Sequence, residues 1–224
     1  MRLFVLIIAI LGTLAAVFVN RAADAAERPR TIVIGLDLSK SNPLVTDDAY
    51  AARAGKRAVE GIEGLAPHSR VLLRTFGSYD VTANALKVDQ VISARAKPDA
   101  VAEGMRVLIA NVPKLVRDGK LKAQGFTNII PFMETMSQVV DCSAGPVDYI
   151  LLTDGFEDSE YAKLKAGGSL PAPSSPLFQG CSSLTILGLG QGAGSPSVTR
   201  RLRDEWQNWA AAEGFRRFAG LYDW

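Results

Sequence analysis

The chain has few of the side chains that bind zinc or carry out nucleophilic catalysis. It contains one histidine, His68, and two cysteines, Cys142 and Cys181. Two cysteines so far apart do not form a zinc motif. A serine-hydrolase triad would have to use His68, and the G-x-S-x-G turn that carries such a serine is missing from the sequence. We interpret His68 as a loop residue, because it follows Pro67 at the entry to an apolar run.

The chain also lacks an excess of charge of either sign. Its 25 lysines and arginines are nearly balanced by 23 aspartates and glutamates. No basic stripe alternates with aromatic residues, so the composition gives no indication of nucleic-acid binding. The most basic spots are Arg200, Arg201 and Arg203, and the pair Arg216 and Arg217, which we interpret as solvated faces of the last helix and strand.

The longest hydrophobic run lies at the N-terminus. Arg2 precedes an apolar stretch from Leu3 to Val19, and Ala23-Asp24-Ala25 then supplies an A-x-A cleavage pattern. Residues 1–25 are therefore predicted to be a signal peptide cleaved after Ala25, or an uncleaved N-terminal membrane anchor. Either interpretation places the remaining chain outside the cytoplasm, in the periplasm or the extracellular space. No other contact with a membrane is expected.

Strand and helix patterns alternate along the rest of the chain. The strands are predicted near 31–36, 71–76, 81–88, 149–152, 184–189 and 215–221, with 81–88 as a weaker, antiparallel edge strand. The helices are predicted from a Thr46 cap to Leu65, over 98–118 with a kink or break at Pro113, and over 128–140, 159–166 and 196–212. Such alternation favours an α/β fold with a mostly parallel, doubly wound sheet and helices on both faces.

Three further segments lead to predictions. Trp206 and Trp209 occupy one helical face and are predicted to lie in the core. The stretch "GLGQGAG" at 188–194 lacks the last glycine of G-x-G-x-x-G and the lysine of a P-loop, so a flexible loop is favoured over a nucleotide site. The Ser-, Pro- and Gly-rich residues 156–182 are predicted to form mainly a surface loop.

The two cysteines are predicted to form a disulfide. Cys142 precedes the strand near 149–152, and Cys181 precedes the strand near 184–189. Parallel neighbouring strands are close enough for this bond, and an exported protein experiences oxidising conditions. Both cysteines would lie at the amino ends of their strands.

Oxygen-bearing side chains follow two of the predicted strands. Asp37, Ser39 and Ser41 come directly after the first strand, and Asp154 ends the strand "YILLTD". Thr127 begins a predicted helix. Ligands of doubly wound folds bind beyond the carboxyl ends of the strands, where these residues should converge. Two carboxylates and three hydroxyls form a set of hard oxygen ligands suited to magnesium or manganese. Each residue taken singly could also be a turn former or a helix cap.

These residues also carry a family resemblance. "DLSKS" at 37–41, "GFTN" at 125–128 and "LLTDG" at 151–155 resemble the metal-ion-dependent adhesion site of a von Willebrand factor type A domain. The resemblance covers residues 30–224 and implies a six-stranded sheet with one antiparallel edge strand. It also implies that Ser39 and Ser41 bind the metal directly, Asp37 and Asp154 through water, and Thr127 in either way.

The resemblance implies a non-enzymic function. The chain is expected to be an exported binding module that holds Mg²⁺, or Mn²⁺ or Ca²⁺, and binds a protein partner through an acidic residue of that partner. One alternative is a magnesium-dependent phosphoryl-transfer hydrolase. Phosphatases of that type carry a D-x-D motif after the first strand, and here Ser39 occupies the position of the second aspartate. Another alternative is a metal-independent structural component of an envelope assembly.

Overall fold

The computed structural model describes residues 28–78 and 86–224. The predicted signal peptide or anchor, residues 1–25, lies outside the described residues, as does most of the predicted edge strand at 81–88. Within the described ranges, none of the helices has the length and apolar character needed to cross a membrane.

The described residues form a six-stranded sheet with the order β3-β2-β1-β4-β5-β6. Its strands are β1 (Thr31–Asp37), β2 (Arg70–Phe76), β3 (Lys87–Val91), β4 (Val147–Leu152), β5 (Ser183–Leu187) and β6 (Phe218–Leu221). All neighbours pair in parallel except β2 and β3, which pair antiparallel at one edge. The predicted fold class is therefore confirmed.

Helices cover both faces of this sheet. They are α1 (Asp48–Val59), α2 (Pro98–Ala110), α3 (Val112–Arg117), α4 (Ile129–Ser137) and α5 (Pro196–Ala212). Successive side chains of β1 point to opposite faces of the sheet, so they pack in two different hydrophobic cores. Ile32 and Ile34 pack with α1 and α2 in one core, whereas Val33 packs with α4 and α5 in the other. Two buried faces explain why β1 is a nearly continuous apolar run.

The chain order places a crevice at the centre of the sheet. From β1 the chain crosses to β2 on one side, and it later returns to β4 on the other side of β1. The connections therefore diverge at the carboxyl ends of β1 and β4, which is where doubly wound folds bind ligands. Asp37 is the last residue of β1, and Asp154 follows β4 by two residues.

Several sequence-based predictions are confirmed. The helical segment beginning at Pro98 is broken at Asn111, two residues before the predicted break point Pro113. Trp206 and Trp209 are buried in the core beneath α5. His68 lies in a turn before β2.

Other predicted boundaries were wrong. The first helix is capped by Asp47, whose Oδ1 accepts the Tyr50 amide at 2.9 Å, while Thr46 ends a 3₁₀ turn over Pro43–Val45. Pro43 favours the first position of a helical turn, so the 3₁₀ turn begins there, and the α-helix starts only after it, at Asp48. Within the described residues the edge strand covers Lys87–Val91, so it continues beyond the predicted end at Val88.

The first helix ends at Val59 rather than at Leu65, and two other helices are also shorter than the sequence pattern indicates. The helix predicted over 128–140 spans Ile129–Ser137, and the one predicted over 159–166 is reduced to a 3₁₀ turn at Leu164–Ala166. In the second case Asp158 forms isolated bridges with Thr127 and Lys163. These backbone pairings hold the segment in an extended form that competes with the helix.

The disulfide between Cys142 and Cys181 is present, with the Cα atoms 4.9 Å apart. Cys142 precedes β4 and Cys181 precedes β5, so the bond lies at the amino ends of these strands, as predicted. Cys181 is fully buried. The carboxyl ends of β1 and β4 are at the opposite edge of the sheet.

Reducing this disulfide is expected to destabilise the fold. The cysteines are 39 residues apart in sequence. In the chain-entropy account, breaking a disulfide that closes a loop of this length lowers the unfolding free energy by about 3–4 kcal/mol. Urea unfolding with and without reductant measures this difference. A Cys142→Ala/Cys181→Ala variant serves as the control, because its midpoint should not respond to reductant. An equal response of both proteins would contradict the prediction.

Candidate metal centre

Asp37 lies fully buried at the carboxyl end of β1. Its Oδ1 accepts the backbone N–H of Ser39 at 2.7 Å, and its Oδ2 accepts the hydroxyl of Thr153 at 2.7 Å. Thr153 directly follows β4, so the carboxylate spans the ends of two adjacent strands. Sequence reasoning did not select Thr153, although it precedes Asp154 in the motif.

A chain of contacts joins the two serines to the second carboxylate. The hydroxyl of Ser41 donates to Asp154 Oδ2 at 2.8 Å, and the hydroxyl oxygens of Ser39 and Ser41 are 3.4 Å apart. Asp154 Oδ1 accepts the N–H of Phe156 at 3.0 Å. Ser39 and Asp154 are buried, whereas Ser41 is exposed and forms the outer side of the group.

Thr127 is brought to the same edge by its loop. Gln124 N donates to Leu38 O at 2.8 Å, and Lys40 N donates to Gln124 O at 2.9 Å, so this loop pairs with the loop after β1. Thr127, which is buried, exchanges backbone hydrogen bonds with Asp158. Thr127 is thereby held between the segment that follows Asp154 and the segment that carries the two serines.

Asn42 is a structural residue of the site that sequence reasoning missed. Its side-chain Nδ2 donates to the backbone carbonyls of Asp37 at 2.9 Å and Leu152 at 3.0 Å, and its Oδ1 accepts the N–H of Leu44 at 3.2 Å. The amide is fully buried and ties the ends of β1 and β4 together. The only signal in the sequence is its place directly after Ser41.

Glu157 was also missed. Its carboxylate Oε2 accepts the backbone N–H groups of Ile129 at 2.7 Å and Ile130 at 3.1 Å, at the N-terminus of α4. The side chain of Asn128, which occupies the usual capping position, makes no capping bond. Glu157 therefore caps this helix from another segment of the chain, which satisfies two helix donors and places negative charge at the positive helix end.

The electrostatics of the site are unfavourable for two ionised carboxylates. Burial, with repulsion from Asp154 as the next cause, raises the pKa of Asp37 to about 7. Burial also raises the pKa of Asp154 above its ordinary range. Among the described residues, the one ion pair to either group is between Lys165 Nζ and Asp154 Oδ2, at 3.8 Å. The Lys165 side chain is 56% exposed, so water screens this contact.

The donor set suits a hard divalent cation. Two carboxylates and the hydroxyls of Ser39 and Ser41 meet at one edge of the sheet, and the loop that carries Thr127 lies at the same edge. Carboxylate and hydroxyl oxygens are the ligand types that magnesium prefers. Within the described part of the chain, no three His, Cys, Asp or Glu side chains cluster as a metal site. A metal here would therefore depend on the serine and threonine hydroxyls.

The glycine-rich loop borders this edge. Gly190 N donates to the backbone carbonyl of Asp154 at 2.9 Å. Gly155, directly after Asp154, adopts a φ of +77°, and its carbonyl accepts the indole N–H of Trp206 at 2.8 Å. The backbone on either side of Asp154 is thus anchored to the loop at 188–194 and to α5.

Comparisons with known proteins give distant likenesses. No protein-family model matches the chain, and no curated protein matches it significantly. Solved structures similar to it include the pilus adhesin SpaC from Lactobacillus rhamnosus GG, with 17% identity and a TM-score of 0.48 over 88% of this chain. The manganese-loaded TRAP protein of Plasmodium vivax shows 14% identity and a TM-score of 0.44 over 89% of this chain.

The chain spans 28% of the adhesin's length and 70% of the TRAP chain. Identities and TM-scores at this level are too low to transfer a function or a partner. The geometry of this chain's own residues therefore carries the functional argument.

The buried carboxylates give the metal-free protein a defined pH dependence. Burial raises the pKa of Glu157 from 4.5 to about 7. Between these values the unfolded chain releases a proton that the folded chain keeps, so stability falls as pH rises from about 4.5 to about 7 and then levels off. Asp37 adds to the same slope.

Replacing Glu157 by Gln should flatten this dependence, because glutamine keeps an acceptor for the α4 amides without titrating. We expect Glu157→Gln to be more stable than the wild type at pH 8 by an amount on the order of 1–3 kcal/mol. Urea unfolding in chelator from pH 4 to 8 checks this, with the exposed Glu160→Gln as the control. A wild-type slope retained in Glu157→Gln would show that the prediction is wrong.

Proposed function

We propose that this chain is a binding module that holds one divalent cation at Asp37, Ser39, Ser41, Thr127 and Asp154. The observation that carries the proposal is the pair of buried carboxylates, whose one ion pair among the described residues is the long contact to exposed Lys165. A cation at this place would relieve their repulsion and the cost of burying their charge. Mg²⁺ is the first choice, with Mn²⁺ and Ca²⁺ as alternatives of the same hard-oxygen chemistry.

The charge balance of the ligand set suggests how a partner binds. Two carboxylates at most neutralise a divalent cation, and the three hydroxyl ligands add no charge. The bound cation would therefore attract a further anion at a position open to solvent. We propose that this anion is a Glu or Asp side chain of a protein partner, in agreement with the resemblance to a von Willebrand factor type A domain.

The surroundings of the site suit a protein partner. Phe126, next to Thr127, is 56% exposed, and Tyr161 is 44% exposed. Aromatic side chains are enriched at protein interfaces, because they contribute large contact areas at low entropic cost. Tyr161 donates through its hydroxyl to Glu134 Oε2 at 3.2 Å, which gives this ring a defined position.

Phosphoryl transfer is disfavoured by the position of Asp37. A nucleophilic aspartate needs an oxygen that can reach the substrate. Asp37 is fully buried, and its two oxygens accept hydrogen bonds from Ser39 and Thr153. We therefore propose a non-enzymic function, which a generic phosphatase assay in Mg²⁺ tests directly. The metal-independent structural alternative is disfavoured because it would leave the two buried carboxylates uncompensated.

We further propose that residues 30–224 form one domain of the von Willebrand factor type A kind and that it is exported. The disulfide supports export, because such bonds persist in oxidising compartments. Residues 1–25 would direct export as a cleaved signal peptide or an uncleaved anchor.

Replacing Asp37 by Asn tests the cation site. Alanine would leave the Ser39 N–H and the Thr153 hydroxyl without an acceptor, whereas asparagine keeps an acceptor oxygen and removes the charge. We expect Mg²⁺ and Mn²⁺ binding in calorimetry to weaken by at least tenfold, with an unchanged circular dichroism spectrum. The exposed Asp204→Asn is the matched control. Equal binding by all three proteins would mean that the oxygens serve only as turn and cap residues.

Lys165 provides a second test. Its ammonium group, 3.8 Å from Asp154, would compete with a metal for the same negative charge. Because the side chain is half-exposed, screening limits the effect, and we expect Lys165→Met to bind Mg²⁺ about two- to tenfold more tightly. Lys163→Met is the control, since Lys163 pairs with Asp158 instead. Weaker binding by Lys165→Met would show that the lysine supports the cation instead of competing with it.

A further inference from the structure

A cavity of about 390 Å³ lies between the antiparallel edge of the sheet and α4. It is lined by residues of β2, β3 and α4 and by their flanking residues, namely Arg74, Thr75, Phe76, Ser78, Lys87, Asn128, Pro131, Phe132, Thr135, Met136 and Val139. None of the five proposed cation ligands lines it. Its volume is within the range of small-molecule sites in proteins.

The inner part of this cavity is apolar and aromatic. The rings of Phe76 and Phe132 stack with their centroids 4.5 Å apart, and both side chains are buried. Met136 lines the cavity from the last turn of α4, and the exposed Val139, just beyond that helix, lines its outer part. Flat aromatic groups pack well against such rings, and the thioether of methionine adapts to their shape.

Asn128 supplies a polar group without a partner. Its side chain is 3% exposed, and within the described ranges neither Nδ2 nor Oδ1 has a hydrogen-bond partner. Its backbone is fully used, because Asn128 N donates to Gly77 O and its carbonyl accepts the N–H of Phe132. A buried amide without partners is costly. A ligand that hydrogen-bonds this amide would remove that cost.

The charged groups that line the cavity are both cationic. Arg74 uses Nη1 for the carbonyls of Leu73 and Val88, and its Nη2 is 3.9 Å from Asp89 Oδ2, beyond hydrogen-bond distance. Lys87 forms no ion pair with any residue in the described ranges. Among the described residues that line the cavity, none is acidic. The charge of the lining therefore complements an anion.

We propose that this cavity binds a small aromatic carboxylate. Its ring would pack against Phe132 and Met136, and its carboxylate would bind the cationic groups of Arg74 and Lys87 and the amide of Asn128. The aromatic floor selects a flat apolar body, and the two cations select a negative end. This inference goes beyond the proposed cation site and does not depend on it.

The test uses the full chain in EDTA, so that the cation site plays no part. Naphthalene-2-carboxylate is the probe, and the neutral naphthalene-2-carboxamide is its comparator. In NMR titrations of protein labelled with ¹³C-methyl methionine, the methyl resonance of Met136 in the cavity should shift saturably as the carboxylate is added. Met105, which lies in the core on the other face of the sheet, should not shift. The carboxamide should bind at least tenfold more weakly.

Two variants test the residues that recognise the probe. Lys87→Met removes a cation near the exposed edge strand, and we expect at least fivefold weaker binding of the carboxylate with no change for the carboxamide. Asn128→Leu should weaken both probes and raise the thermal midpoint, because it removes an unpartnered buried amide. The exposed Lys56→Met on α1 is the matched control.

Three results would overturn the proposal. They are the absence of a saturable Met136 shift, equal affinities for the two probes, and unchanged carboxylate binding in Lys87→Met. If Asn128→Leu fails to fold, the Lys87→Met comparison still decides the question, because Lys87 is exposed on the edge strand and its side chain forms no ion pair with the described residues.

Discussion

The burial of two neighbouring carboxylates, together with the repulsion between them, is the constraint on which the rest of the site depends. Asp37 and Asp154 lie at the carboxyl ends of the adjacent central strands β1 and β4, where the connections of the chain diverge to opposite sides of the sheet. Hydroxyl and amide donors around them stabilise the charges only in part, because burial still raises both pKa values. The surrounding loops must therefore hold the carboxylates of Asp37 and Asp154 close together against their mutual repulsion. The proposed cation would convert this repulsion into attraction to a common centre.

Side chains with no role as ligands hold the site together. Asn42 bonds the ends of β1 and β4 through one amide group. Glu157 links the segment after Asp154 to the first amides of α4, and Thr127 lies directly before that helix's N-cap. The loops are thus preorganised by backbone bonds, so a ligand would find its donors already in place. This arrangement also buries a third carboxylate, that of Glu157.

The sequence predicts where the two carboxylates lie better than it predicts the side chains that hold them in place. Asp37 and Asp154 follow apolar runs, and parallel strands bring their carboxyl ends to one edge, so their convergence follows from pattern alone. Asn42 and Glu157 act on backbone groups 110 and 28 residues away, and no local pattern encodes such bonds. Helix starts were similarly ambiguous, because Thr46 and Asp47 can both cap. The 3₁₀ turn that begins at Pro43 decides in favour of Asp47.

The parallel arrangement of β1 determines how the domain would carry mechanical load. The chain enters β1 at Thr31, on the edge with the disulfide, whereas the proposed partner site lies at the other end of the same strand. Tension between a bound partner and any attachment before residue 28 would pull β1 lengthwise against β2 and β4. Its ladder hydrogen bonds on both sides would then be loaded together in shear, instead of one after another as in unzipping. The strand that ends in Asp37 would therefore resist being drawn out of the sheet.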